Sequence, residues 1–298
     1  MMAASRQSSG VGPRIRKPGC NPRHRMVAVW AVCVAVSAWA GPAACGADGS
    51  GADGSTSMAR KRPVPAHPVC MICGGRSGRF EIDPWGNCYH GDHVRGVATC
   101  HQCDRKCHPA ITGSTGTTLK DGRTVCGSCL ATAVKSARVA GQRMHRVAAQ
   151  LRQSGIRVNL AAVSVSLVDQ SALTQSDSTL GLTRSQWTLS RGRRRFDSAR
   201  IKVLSHLAAP LFDSVIAHEL MHVWFAQHIS HPVDRCTEEG VCQLASDIVL
   251  AAEPSDDLAV YLREKLMADD DPIYGDCFKK ASAIAAKRGI SALLTQLR

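Results

Sequence analysis

The apolar positions of "PLFDSVIAHELMHVWFAQ", residues 210–227, recur at three- and four-residue steps: Phe212, Ile216, Leu220 and Val223. That is the spacing of one helix face, and Pro210 stands where a first helical turn tolerates proline. Downstream, "TEEGVCQLASDIVLAA" places an apolar run behind Glu238 and Glu239 and predicts a second helix. Upstream, Val163, Val165 and Leu167 alternate with polar residues in "RVNLAAVSVSLVD", a strand pattern, and "RIKVL" at 200–204 predicts another strand just before the first helix. Residues 130–153 lack proline, are rich in Ala, Arg and Val, and read as one helix. The fold class is therefore α+β: a small β-rich module, then a mainly helical domain with a short β-sheet.

The first helix carries more than a packing stripe. His218 and His222 are four residues apart and so lie about 40° apart on a helical surface, with Glu219 beside them. H-E-x-x-H on a helix is the pattern of two imidazoles on zinc and a carboxylate able to take a proton from the attacking water. Hydrolytic zinc sites take three protein ligands. The downstream helix offers Glu239 as the third, with sixteen residues between it and His222, and Glu238 as the alternative. Gln243, one turn beyond Glu239, is a candidate for orienting a ligand. Tyr274 is a candidate hydrogen-bond donor to a tetrahedral oxyanion. The competing reading is a buried amphipathic helix whose histidines are satisfied by hydrogen bonds.

Ahead of this region the chain is cysteine-rich. Fourteen cysteines occur in 298 residues, six of them in three C-x-x-C pairs. Cys70 and Cys73 are followed, after sixteen residues, by His90 and His93; Cys100 and Cys103 are followed, after twenty-two, by Cys126 and Cys129. Turn-forming stretches ("PWGN", "TGSTG", "KDGR") fill the loops between the knuckles. Each quartet suits tetrahedral zinc with no open position, a structural role. Cys88, His101, Cys107 and His108 lie within the module, and Cys107 competes with Cys103 as a ligand. Cys236, Cys242 and Cys277 read as small buried hydrophobes. The expected complement is three zinc ions, one catalytic and two structural.

The net charge of +13 is unevenly spread. Residues 1–47 hold six basic residues and no acid, and a fifteen-residue apolar run, 26–40, follows Arg14, Arg16, Lys17, Arg23 and Arg25. A basic leader, a short apolar core and small residues beyond it describe an export signal, with Cys45 after Ala43 and Ala44 as a lipoprotein-type acceptor. A disordered cytoplasmic leader is the alternative. The basic run at 190–202 reads as an exposed strand flank, which argues against a nucleic-acid partner. The organisation is then a signal-like or membrane-anchor segment (1–45), a Gly/Asp/Ser-rich flexible linker (46–67), a double zinc module (68–131), a connecting helix (132–154) and a catalytic domain (155–298).

With these motifs in order, residues 68–298 resemble the plant DA-type family, LIM-domain proteins with a C-terminal zinc peptidase that act as ubiquitin-activated regulators of organ growth. The double zinc module, "AHELMHVW", "EEGVCQ" and "DPIYGDCFKKA" carry the resemblance. Two departures mark a divergent, bacterial-type version. His90-x2-His93 stands where a LIM domain has His-x2-Cys, and six residues separate His93 from Cys100 where a LIM domain has two. The resemblance implies a glutamate-type zincin in which a strand beside the site can pair with extended substrate, a protein or peptide substrate, and a LIM-like module that docks a protein partner. Ubiquitin activation and the plant substrates are not carried over, because the segment ahead of the module reads as an export signal or membrane anchor. The alternative from another class is a non-catalytic zinc-binding interaction protein.

Overall fold

The computed structural model describes residues 27–35, 67–173, 179–190 and 193–298. Cys45 and the linker up to residue 66 lie outside them, as do the basic residues before the apolar run. No helix among the described residues is long and apolar enough to cross a membrane.

The core is organised around one central helix, α4 (Ala209–His228), in which every residue from Leu211 to Phe225 except Ser214 is buried. The helical periodicity is thus real but undersells the burial. The helix is enclosed on all sides, by α3 (Ala137–Gln153), α5 (Arg235–Ala251) and a four-stranded sheet. α3, the helix that reads as a connector in the sequence, presents Ala140, Met144, Val147 and Leu151 to this core. It is fixed to α4 by a two-point ion pair, Arg143 Nε and Nη2 each 2.7 Å from the Asp213 carboxylate.

The sheet runs in the order β1 (Val27–Ala35), β7 (Thr179–Ser190), β8 (Arg193–Leu204), β6 (Val163–Val168). β7 and β8 are antiparallel and twelve residues each, and β6 runs parallel to β8. The sheet is therefore longer than the short one expected, and most of the basic run is built into β8. Its charges are surface ones: Arg194 stacks over Trp187 at 4.3 Å and Arg195 pairs with Asp197 at 3.3 Å. Part of the signal-like apolar run, Val27–Ala35, is paired antiparallel along the outer edge of β7. The strand beside the buried histidine helix is β7, and its outer edge is taken by β1.

The cysteine-rich module contains little regular strand. Two short ladders, β2 (Phe80–Ile82) with β3 (Cys88–His90) and β4 (Thr117–Thr118) with β5 (Thr124–Val125), stand beside the one-turn helices α1 (Pro109–Thr112) and α2 (Gly127–Ala131). Its second half docks at the N-terminus of α4. The Gln102 side chain donates to His206 O at 2.7 Å and accepts from Ala208 N at 2.6 Å, holding the left-handed His206 turn (φ 62°). Trp85 stacks on Tyr261 of α6 (Asp257–Ala268) at 4.7 Å, while Asp104 receives Tyr261 Oη at 2.6 Å and Lys265 Nζ at 2.8 Å. Two further helices, α7 (Gly275–Arg288) and α8 (Ile290–Gln296), close the chain.

Both hydrogen bonds of the buried Gln102 amide would be orphaned by Gln102→Ala. The expected cost is about 1–3 kcal/mol, read as a lower urea midpoint at unchanged slope.

Candidate metal centre

The elements around α4 bring five titratable groups into one buried cluster. His218 and His222 project from α4 with their Nε2 atoms 3.1 Å apart. Glu239, in the second turn of α5, sets Oε2 3.2 Å from His218 Nε2 and 3.8 Å from His222 Nε2. Four protein or solvent ligands about 2.0–2.1 Å from a tetrahedral zinc lie about 3.3–3.4 Å from one another, so this triangle has the size such an ion requires. Glu239 Oε2 is buried against the two imidazole Nε2 atoms, an arrangement that a shared cation would complete. Burial works to raise the Glu239 carboxyl, but the hydrogen bond and charge of His218, then His222 and Arg235, hold it below the usual carboxylate range.

Glu238 and Glu239 have separate places. Glu238 Oε1 meets His222 Nδ1 at 3.0 Å, on the ring nitrogen opposite the triangle. It therefore fills the orienting position in which a carboxylate fixes the tautomer of a ligating histidine. Gln243 is buried on α5 but makes no hydrogen bond to His218, His222 or Glu239. Cys242 approaches the same histidine, with Sγ 3.5 Å from Nδ1, so His218, His222 and Cys242 also form a metal-sized group. Two observations favour the carboxylate over the thiol. Nδ1 and Nε2 point in divergent directions, so one ion cannot take Cys242 there and His218 on the other side. The Cys242 thiol is also pushed far up by burial and by Glu239, Glu238 and Glu219.

Glu219 lies beside the triangle and is fully buried. Thr183 Oγ1 donates to its Oε2 at 2.5 Å, and Oε1 has no partner. Burial pushes the carboxyl up to about 7, against the pull of His222 and Thr183. Gly181 in β7 makes room for it: a Cβ there would sit 2.5 Å from Glu219 Oε1 and 2.7 Å from Val215. Sequence reasoning did not find Thr183 or Gly181, because their tie to Glu219 crosses 36 and 38 positions of chain.

α5 is anchored on its other side. Cys236 and Cys277 form a disulfide between the first turns of α5 and α7, a correction to their reading as isolated buried hydrophobes. Gly240 lies against the backbone of Cys277 with no room for a Cβ. Tyr274, at the N-terminus of α7, is buried, and its hydroxyl accepts from Arg235 at 3.4 Å. His228 bonds to Trp224 O at the end of α4, away from the triangle.

Both cysteine-rich quartets also gather. Cys70 Sγ lies 3.4 Å from His93 Nδ1, and Cys73 Sγ 3.6 Å from His90 Nδ1. Cys103 Sγ lies 3.7 Å from Cys126 Sγ in the fully buried group of Cys100, Cys103, Cys126 and Cys129. Tetrahedral zinc with bonds of about 2.3 Å to sulfur and 2.0–2.1 Å to nitrogen has S–N edges of about 3.6 Å and S–S edges of about 3.8 Å. Burial alone would lift the Cys70 thiol, yet backbone donors from Cys73, His90 and Ile72 and the His93 ring bring it down to about 6. Cys107 stays outside the quartet, its thiol pushed up to about 11 by burial, and Cys103 takes the place the two could have contested.

Two measurements check this geometry. Metal analysis of the purified chain should find about three zinc ions, and His218→Ala/His222→Ala should lower the count to about two. Gly181→Ala should displace the Glu219 carboxylate and destabilise the fold by about 1–3 kcal/mol, visible in thermal melts, with the zinc count kept.

No protein-family profile matches the chain, and no solved structure matches it. Protein DA1-related 2 of Arabidopsis thaliana is 25% identical over 138 residues, 35% of this chain and 26% of that protein. The matched stretch is thus about a quarter of the relative's length, a distant similarity to a DA1-related protein carried by a mixed α+β chain whose Cys/His clusters could hold zinc.

Proposed function

We propose that the chain is a zinc-dependent peptidase that cleaves protein or peptide substrates at the centre between α4 and α5. The observation that carries this reading is Glu219: a fully buried carboxylate with an unpartnered oxygen, set directly beside a His218/His222/Glu239 triangle of zinc-ligand size. A purely structural site has no use for a second buried acid that does not complete the ligand set. The similarity to a DA1-related protein agrees with it.

In this reading His218, His222 and Glu239 hold the ion, and Glu238 fixes the tautomer of His222. A bound zinc ion supplies Lewis acidity to a water and to the scissile carbonyl. Glu219 takes the proton of the attacking water and returns it to the leaving amine. Thr183, bonded to Oε2, aims the free Oε1 for the transfer. Tyr274, whose hydroxyl accepts from Arg235, is assigned the oxyanion hydrogen bond.

Cys70, Cys73, His90 and His93 hold one structural zinc, and Cys100, Cys103, Cys126 and Cys129 another. The second of these buttresses α4 through Gln102. The first leaves Val69, Met71 and Ile82 exposed, which suits docking of a protein partner. Export or membrane anchoring by the N-terminal segment belongs to the same proposal.

Glu219→Gln tests the assignment. The variant should retain about three zinc ions per chain and lose hydrolysis of a casein or peptide-library substrate by about 10²–10⁴-fold. Undiminished turnover would remove Glu219 as the base. A wild-type chain that binds zinc at the triangle but cleaves nothing would leave the interaction-module reading in its place.

A further inference from the structure

Arg235 is the first residue of α5, directly after the N-cap Asp234. A cation there opposes the helix dipole, so a helix end built for stability alone would not choose one. Its charge feels Glu239 and Asp271 only from a distance. Among the described residues no carboxylate forms an ion pair with Arg235. Asp234 is occupied with the Thr237 amide at 2.9 Å. Asp271 is occupied with the amides of Ile273 and Tyr274, both at 2.8 Å. Among the described residues, the Arg235 guanidinium donates to the Tyr274 hydroxyl at 3.4 Å.

Its position is defined on three sides. Residues 235 and 239 are four apart on one helix, so Arg235 shares the face of Glu239 and stands one turn, about 6 Å, further out. Cys236 and Gly240, the next positions round the helix, are locked against α7. Glu239 is buried, whereas Arg235 is exposed. The guanidinium therefore stands at the solvent rim of the metal centre, between that centre and the N-terminus of α7.

We propose that Arg235, steadied by Tyr274, binds a carboxylate of the peptide substrate close to the scissile bond, making the enzyme selective for acidic peptides. Guanidinium and carboxylate match as a two-point pair, and an arginine already held at one nitrogen loses less freedom on engaging it. The carboxylate is that of an Asp or Glu side chain or of the peptide's C-terminus. The proposal rests on the peptidase reading above for its substrate class.

The test uses the full zinc-loaded chain carrying Glu219→Gln, which separates binding from turnover. Fluorescent octapeptide pools with Asp/Glu or with Asn/Gln fixed at each position, each pool with a free or an amidated C-terminus, are titrated by anisotropy. At least one acidic pool should bind about tenfold more tightly than its amide-side-chain or amidated counterpart. Adding Arg235→Gln should abolish that difference, and Arg235→Lys should restore part of it, at unchanged zinc content and melting temperature. A difference confined to the free C-terminus assigns the site to a terminal carboxylate; one set by an internal position assigns it to a side chain. Equal affinities across all pools, no binding by any pool, or a preference that survives Arg235→Gln each overturns the proposal. Arg235-dependent binding with no hydrolysis by the Glu219-intact chain would sink the peptidase reading and leave the carboxylate site standing.

Discussion

The structure depends on the burial of His218, Glu219 and His222 inside a helix that is otherwise almost wholly apolar. Fifteen of the twenty residues of α4 are buried, and these three polar side chains are at most 4% exposed. Each buried polar atom needs a partner, and a lone helix has none to give. The surrounding elements supply them. β7 brings Thr183 to Glu219 and leaves out a side chain at Gly181 to admit the carboxylate. α5 brings Glu239 to one side of the imidazoles and Glu238 to the other. Glu239 Oε2 and Glu219 Oε1 are left where a cation and a water would complete them, while His218 Nδ1 stays unpartnered on the far side of its ring. The packing of three elements against α4 is thus the same problem as the assembly of the site.

That assembly needs α5 to hold its register to within a fraction of a turn. Glu238 and Glu239 are adjacent in sequence yet face opposite nitrogens of His222, so rotation of α5 by one residue would exchange an orienting group for a ligand. The disulfide and the close approach at Gly240 hold α5 to α7, while Ser246 Oγ donates to Ser214 O at 2.9 Å and ties its later turns to α4. The second cysteine quartet performs the corresponding task at the start of α4, through Gln102 and the Trp85–Tyr261 stack. The cysteine-rich module is in this sense part of the frame around α4 at one end and an exposed surface at the other.

The parts that local spacing encodes were legible in the sequence. Two histidines four apart, a glutamate at the head of the next helix, and the eight Cys/His positions of the module all converge as their spacing predicts. β6 was legible because its outer face is polar and its alternation survives. β7 was not, since Thr179–Thr183 is buried on both faces and the alternation disappears. The choice between Glu238 and Glu239 depended on the azimuth of α5 against α4, which no spacing fixes. Thr183, Gly181 and the Cys236–Cys277 bond were hidden for the same reason: each is a contact between distant segments. Arg235 was hidden differently. Nothing in "VDRCTEEG" marks it until the helix start and the Tyr274 hydroxyl are both in place.

The cysteines pose one last physical question, because thiols kept free and thiols joined occur in the same chain. Geometry separates them without reference to surroundings. Cys236 and Cys277 bring their Cα atoms to 5.2 Å with the sulfurs directed at each other. In the quartets the sulfur spacing is that of tetrahedron edges, 3.7 Å between Cys103 and Cys126, far beyond a covalent bond of about 2.05 Å. An ion at the centre of such a quartet holds its thiolates at the separation that forbids their oxidation to one another. The disulfide fixes α5 and the second quartet the approach to α4, so an oxidising environment would strengthen the first anchor while a bound metal ion would guard the second. Were such an ion lost under oxidising conditions, Cys103 and Cys126 would be free to pair wrongly and release α4 from its N-terminal support.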